Sequence, residues 1–526
     1  MKYPYYKTII YDDFYEMLKG WHDNYTNKVA VKFIEKEKII NYTYNDLVNQ
    51  ICSLHNYYQR HNVKNRKIGI MAENRYEYIT VYLSSVFLNV IVPLDKELDC
   101  ESIKKSINRF DIDVFFYTNK TKNKISKISN KGKIKFINID DEYASIIDKK
   151  YSIEDFFEEI KTVDKNKFSI LASTSGTDGN IKGVMLSQYN VLSNLRAALE
   201  NNVLRSPTLV VLPMNHTYGF NPGVLNTLYI GGELCINMDL KYLKRDLKVF
   251  NPYFIGVVPM LVEGLYNNII REAKRRKKYK LFCRMIKISN FLLKYNIDLR
   301  KLFFGNIINR RLKLIVSGGA NLDEKYVKKY EELGIVLLNG YGMTECSPLI
   351  AVNRECNNIV GSVGTIIKDA KVKIADDGEI LVKGPNVMLG YYNDLKATKK
   401  SMINGYFKTG DLGYVRDRVI FITGRKKNLI VLNNGKNFSP ETIEKKLLEL
   451  PYIEECIVTT RQLEKNIIIV AKIYMKEVNN NIDEDIKKIN KNLPKYMNID
   501  KYELMEKEFE KNSSKKIRRN QYVERF

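Results

Sequence analysis

The sequence predicts an α/β protein: a large N-terminal domain of helix-covered, mainly parallel sheets plus a β-rich subdomain, then a small α+β C-terminal domain. Three observations carry this reading. The 526 residues are too many for one hydrophobic core. Short β-branched runs, apolar on both faces, alternate with helical patterns through the first two thirds, as parallel sheets covered by helices require. From about Asp369 the texture shifts to shorter strands and turns.

In chain order, the strands expected of the large domain are "KIGIM" (67–71), "DVFFYT" (113–118), "KFINI" (135–139), "TLVVLPM" (208–214), "YFIGVVP" (253–259) and "LKLIVSGGA" (312–320). Between the first two, Tyr78 to Leu94 is uncharged but contains Thr, two Ser, Asn and Pro, and it is short for a spanning helix. A buried helix running into a strand ("NVIVPL") fits it better. "AKVKIADDGEILVKG" reads as a hairpin across Asp376-Asp377-Gly378. After "GDLGYVRDRVIFITGRKKN" come a helix pattern at Pro440 to Leu450, the strands "CIVTTR" and "NIIIVAKIYM", another helix and a basic tail. That is roughly a hundred residues, enough for a small domain. No internal repeat is visible.

Composition narrows the partners. The net charge of +25 comes from 86 basic and 61 acidic residues, dispersed except for "REAKRRKKYK" (Arg271 to Lys280). Most of this charge reads as solvated surface with some attraction for anionic substrates. A membrane surface is the alternative for the 271–280 stretch, and a solvated helix face is the reading preferred. Nucleic acid is not expected as a partner, because charge alone motivates it and no recognition motif appears. Seven cysteines show neither a C-x-x-C pair nor zinc-type spacing. With no signal or transit pattern in "MKYPYYKTIIYDDFYEML", a reducing, cytoplasmic setting is expected.

The segment "TSGTDGNIKG" (Thr174 to Gly183) asks for an anion. Its glycines permit a tight backbone with N–H groups turned inward, its hydroxyls add donors, and Lys182 adds a cation, a set suited to a polyphosphate. The spacing is not that of a Walker A loop, since Gly183 is followed by Val184. Plain turn chemistry would explain such a loop equally well.

Other motifs decide. With "LPMNHTYGF" (212–220), "VSGGANL" (316–322), "LNGYGMTECSP" (338–348), "GYFKTGDLG" (405–413), "ITGRKKNLIVLNNGKNFSPETIE" (422–444) and "NSSKKIRR" (512–519), the loop resembles the adenylate-forming (AMP-binding) superfamily. The motifs follow the family order from Leu171 onward. The segment from "VSGGANL" through "TECSP" looks most like bacterial long-chain fatty acyl-CoA synthetases.

That resemblance implies an AMP-binding domain over 1–423 with the acyl and ATP sites. It also implies a mobile domain over 424–526 with a hinge and a catalytic lysine. A carboxylate attacks the α-phosphate of ATP with Mg²⁺, and a thiol then displaces AMP from the acyl-adenylate. Thr174, Ser175, Gly176, Thr177 and Gly179 would hold the β- and γ-phosphates, with Lys182 as the nearby cation. Gly318, Gly319 and Ala320 would let the backbone approach adenine. Asn339, Gly340, Tyr341 and Gly342 would form the nucleotide wall, with Tyr341 stacked on the base. Thr344 would bond the α-phosphate and Glu345 would hold Mg²⁺. Asp411 would accept from the ribose hydroxyls, and Arg425 would contact ribose or phosphate. Lys427 would be the hinge, and Gly435 and Lys436 would help form the thiol tunnel. Lys516 aligns with the catalytic lysine, beside Lys515 where the family has glycine. His216, Tyr218 and Gly219 would line the acyl site; His216 is not expected to act as a general base, since no paired acid is visible in the sequence.

The family usually reads "SGTTG" where this chain has Asp178, a carboxylate beside a polyanion, and Ile181 replaces the usual proline. No acidic residue lies between Met214 and Glu233, where peptide-synthetase domains carry an aspartate, so an apolar carboxylate, best a fatty acid, is expected. The acceptor is coenzyme A, with a phosphopantetheinyl carrier protein as the alternative. A nucleotide-binding member without turnover is the competing class, motivated by Asp178.

Overall fold

The computed structural model describes residues 3–128, 134–147, 151–175, 181–305, 309–432, 437–463, 466–475, 481–511 and 517–523. It divides into two compact units: Met1–Lys371 with Val382–Phe407, and Val372–Leu381 with Lys408–Phe526. The boundary expected at 423/424 lies inside the second of these.

Two sheets build the first unit. One runs in the order Gly390–Tyr391, Ile181–Ser187, Phe168–Ser175, Val90–Pro93, Lys67–Met71, Val114–Tyr117, Lys135–Asn138. Its five strands from Phe168–Ser175 outward are parallel, and Ile181–Ser187 returns antiparallel. The other follows Gly364–Ile366, Leu349–Val352, Val336–Gly342, Leu314–Ser317, Phe254–Val257, Thr208–Val210, Leu234–Ile236, Val29–Glu35, Lys38–Thr43. Its centre, from Val336–Gly342 to Val29–Glu35, is parallel. The apolar runs thus form the strands they were expected to form, because a sheet covered on both sides needs apolar side chains on both faces.

The uncharged run from Tyr78 to Leu94 falls in the helix Tyr76–Leu88, buried from Tyr78 to Phe87, and in the strand Val90–Pro93 that follows it. Helix starts are set by side chains. Thr43 and Asp46 form a reciprocal capping box on Tyr44–Arg60, and Ser187 and Asn190 do the same on Gln188–Asn201. The single tryptophan, Trp21, is fully buried, and its Nε1 donates to the Leu228 carbonyl at 2.9 Å. No described helix is long and apolar enough to cross a membrane.

The second unit begins with the expected hairpin. Lys371–Ile374 and Glu379–Lys383 are joined through Gly378 at φ +83°, where a β-carbon would be strained. The sheet continues to Tyr406–Arg416 and Val419–Arg425. The helix Pro440–Leu447 starts on its proline and is three residues shorter than the sequence pattern. It packs Ile443 and Leu447 with Val458, Ala471, Ile473 and Ile486 from the strands Glu455–Leu463 and Asn466–Tyr474 and the helix Ile482–Lys491.

Candidate functional site

Gly176, Thr177, Asp178 and Gly179 of the loop, Gly435, Lys436 and Lys516, and the side chain of Ser175, lie outside the described residues. What is described is the frame around them.

The loop joins two antiparallel strands, with Thr174 opposite Lys182. The Lys182 ammonium stands 5.0 Å above the ring of Tyr391, a favourable cation–π distance. The Tyr391 hydroxyl donates to Glu345 Oε1 at 2.9 Å. Burial, with the Glu345 carboxylate beside it, raises the Tyr391 hydroxyl's pKa far above its ordinary value, so it stays a donor. One aromatic ring therefore joins the cation of the loop to the acidic residue of "GMTEC". Sequence reading missed Tyr391, whose only signal is its place after a glycine in "LGYYND".

The carboxyl ends of two neighbouring parallel strands meet at Ser317 and Asn339, which are in register. Ser317 Oγ and Asn339 Oδ1 are buried without a hydrogen-bond partner. Buried polar atoms of this kind cost free energy until something pairs with them, and the ends of parallel strands are where α/β proteins hold ligands. Gly318 and Gly319 follow, the latter at φ +83° and exposed with Ala320. A β-carbon on Gly318 would come 3.0 Å from the Tyr218 ring. The single O–H of Tyr218 lies 3.0 Å from both the Val257 and the Val316 carbonyl oxygens. The ring thus props the glycine turn and its hydroxyl is committed to the sheet.

Tyr341 is buried on the next strand, and Gly342 cannot carry a side chain: a β-carbon there would stand 2.0 Å from the Pro348 carbonyl oxygen. Thr344 Oγ1 is 3.5 Å from Thr217 Oγ1, which brings "MTEC" beside "NHTYG". Gly219 is equally confined, its β-carbon position lying 2.1 Å from the Pro213 carbonyl oxygen. His216 Nε2 sits 4.0 Å from Asp95 Oδ2. This acid, at the end of "VIVPLD", is a neighbour of His216 that the sequence did not show. The two residues are 121 positions apart, so no local spacing could show it.

Among the described residues no group of three or more His, Cys, Asp or Glu could hold a metal ion. A site with one carboxylate, Glu345, fits Mg²⁺ shared with phosphate oxygens and does not fit an all-protein cage.

In the second unit Asp411 and Arg425 face each other across antiparallel strands, Nε to Oδ1 at 2.9 Å, with the carboxylate buried and the guanidinium half-exposed. Gly410 donates its N–H to Glu379 Oε1 at 2.9 Å, and Lys426 reaches Glu379 Oε2 at 2.8 Å and also Asp377. Lys427 is exposed in the turn Lys426–Asn428, and Asn428 Nδ2 donates to Glu441 Oε1 at 2.6 Å.

Residues 18–392 match the family described as AMP-binding enzyme, and residues 427–526 match the AMP-binding enzyme C-terminal domain. The long-chain-fatty-acid–CoA ligase FadD15 of Mycobacterium bovis is 31% identical over 315 residues, covering 55% of this chain and 51% of that protein. The chloroplastic long-chain-fatty-acid–[acyl-carrier-protein] ligase AEE15 of Arabidopsis thaliana is 28% identical over 367 residues, covering 56% and 50%. The match thus spans about half the length of these curated relatives. Among solved structures, ATP-bound MatB from Rhodopseudomonas palustris superposes with a TM-score of 0.80 at 20% identity, over 97% of this chain and 98% of that one.

Proposed function

The chain belongs to the AMP-binding enzyme family, and from that premise we propose that it is an acid–thiol ligase that activates a medium- or long-chain fatty acid as its adenylate. A carboxylate oxygen attacks the α-phosphorus of ATP, the bond to the β-phosphate breaks, and pyrophosphate leaves. A thiol then attacks the acyl carbon, forming the thioester and releasing AMP. The acceptor is coenzyme A, and a phosphopantetheinyl carrier protein is the second candidate. The named relatives include a ligase of each kind. The setting proposed is the cytoplasm, with a peripheral hold on the inner membrane surface.

The observation that carries the reaction class is the family match over both parts of the chain. The geometry of the described residues supports it in part. Ser317 Oγ and Asn339 Oδ1 want partners where a base and ribose would come, beside the Gly318–Ala320 turn. Thr344 would bond the α-phosphate. Mg²⁺, when bound, neutralises phosphate charge, and Glu345 would hold it, oriented by the Tyr391 hydroxyl. Thr174, Ser175 and the glycines after it would cradle the β- and γ-phosphates, with Lys182 beside them. Asp411, with Arg425, would accept from the ribose hydroxyls. His216 and Gly219 would line the acyl chain's entrance, Tyr218 supporting them from the sheet. Lys427, as hinge, would separate a domain over 1–423 from one over 424–526, and Lys516 would bridge the carboxylate and α-phosphate. Gly435 and Lys436 would border the thiol.

The test is pyrophosphate release from ATP and Mg²⁺ with a panel of carboxylic acids, comparing the native protein with Lys516→Ala. Medium or long fatty acids should stimulate release, and the substitution should abolish most of it. The competing reading, nucleotide binding without turnover, rests on Asp178. It gains the field if ATP binds but no acid stimulates release, and if Asp178→Thr then restores it.

A further inference from the structure

We propose that the helix Tyr279–Leu293 and the turn after it form the face by which the protein settles on an anionic lipid surface. The helix, "YKLFCRMIKISNFLL", has no acidic residue. One side is spoken for: Phe282, Met285 and Ile286 pack on the core, with the Phe282 and Phe304 rings 5.4 Å apart. The other side faces water with side chains that water does not favour. Leu281 is 51% exposed, Ile288 44%, Phe291 56% and Tyr295, just past the helix end, 64%. Spacings of seven, three and four residues keep these four on one side of the segment.

Cations are threaded through the same side. Lys280, Lys287 and Lys294 recur every seven residues with Arg284 between them, and all four are exposed. The preceding stretch adds exposed Lys274, Lys277 and Lys278. From Gly264 to Ile297 the one acidic residue is Glu272, already paired with Arg275 at 2.6 Å and Arg276 at 2.7 Å. The next, Asp298, is paired with Arg300 at 2.8 Å. Positive charge is therefore in excess along this stretch, where, among the described residues, Glu332 of a neighbouring element reaches only Asn290, accepting from its Nδ2 at 3.5 Å.

The interleaving selects the occupant. A protein partner, or a second copy of this chain, is met by a contiguous dry centre with charge at the rim. Here each large apolar side chain has a lysine or arginine beside it. At a bilayer surface both requirements are met together. Leucine and aromatic side chains enter the boundary between headgroups and acyl chains, while the long basic stems reach up to the phosphates. Charge complementarity with anionic headgroups supplies the attraction. This gives the peripheral setting a definite surface and does not rest on the ligase reaction.

The full-length protein without nucleotide should float with vesicles of phosphatidylcholine containing phosphatidylglycerol, and should not float with phosphatidylcholine alone. Leu281→Ser with Phe291→Ser should lower the partition coefficient about tenfold. Lys280→Gln with Lys287→Gln and Lys294→Gln should lower it by a similar factor, and added salt should mimic the lysine changes. A second readout uses Phe291→Trp. Trp21 is fully buried, so a blue shift on adding anionic vesicles reports the new tryptophan entering lipid. These surface positions leave ATP binding as the control for folding. The proposal fails if the native protein ignores anionic vesicles or if the variants bind them equally well. It fails too if the Leu281 and Phe291 changes convert a dimer to monomer in sedimentation, since the face then belongs to a second copy.

Discussion

The hydroxyl of Tyr391 donates to Glu345 Oε1 at 2.9 Å, and this bond orients the acidic side chain. Tyr391→Phe keeps the ring under Lys182 and deletes the bond. A hydrogen bond to a charged group contributes about 1.5–3 kcal/mol. The Mg²⁺ concentration needed for half-maximal ATP binding should therefore rise about tenfold or more. Calorimetric titration of ATP across Mg²⁺ concentrations checks this. A variant with unchanged Mg²⁺ dependence would cut Tyr391 out of the metal site.

Asp411 is a buried carboxylate with Arg425 as its cation at 2.9 Å. Asp411→Asn retains the shape and removes the charge. If the pair holds the ribose, nucleotide affinity should fall about tenfold or more, the worth of a charge-assisted hydrogen bond. The same titration measured on AMP separates this from phosphate effects: loss on ATP alone would assign the pair to the phosphates.

Gly219 has no room for a methyl group, since its β-carbon would stand 2.1 Å from the Pro213 carbonyl oxygen. Gly219→Ala should lose about 3 kcal/mol of stability through backbone displacement. Denaturant unfolding reads the loss directly. A stable Gly219→Ala protein with altered acid preference would show instead that the glycine serves the acyl site alone.

His55 is 1% exposed and sits 3.1 Å from Glu159. Burial lowers its pKa below the usual 6.5, although Glu159 pulls the other way. The unfolded chain then takes up the proton more readily than the folded one. The neutral imidazole's contribution is present above about pH 6.5 and is lost as the pH falls through that value. Native protein should show a falling melting midpoint between about pH 7.5 and 5.5, and His55→Gln should show a flatter one. Parallel curves would remove His55 from the acid response.

The strands of the parallel sheets were legible because burial on both faces leaves a continuous β-branched run, as in "KIGIM" and "LIVS". The hairpin at Gly378 was legible because a left-handed turn advertises itself by glycine. What the chain brings together from afar was not. Asp95 meets His216, and Tyr391 meets both Lys182 and Glu345, through sheet order that no local pattern encodes. The return of Val382–Phe407 to the first unit has the same origin, since Gly390–Tyr391 pairs with Met185 and Val184. Tyr218 could be named from its motif, but its hydroxyl's attachment to two sheet carbonyls could not. The outer stripe from Leu281 to Tyr295 was hidden for another reason. A helix apolar on both sides does not say in sequence which side the core will cover.

The tethers beside Lys427 have a mechanical meaning. Lys426 is held by Asp377 and Glu379, and Asn428 by Glu441. With side-chain contacts on both neighbours, a turn at the proposed hinge would be resisted on either side of Lys427. The proposed rotation would then concentrate on one residue's two torsions, like an axle between bearings. Motion of that kind stops at discrete angles, because a single residue has few allowed wells. If Lys427 is the hinge, Lys426→Ala would slacken one clamp and blur the proposed positions into a range, and the proposed two-step reaction would lose the click between its steps.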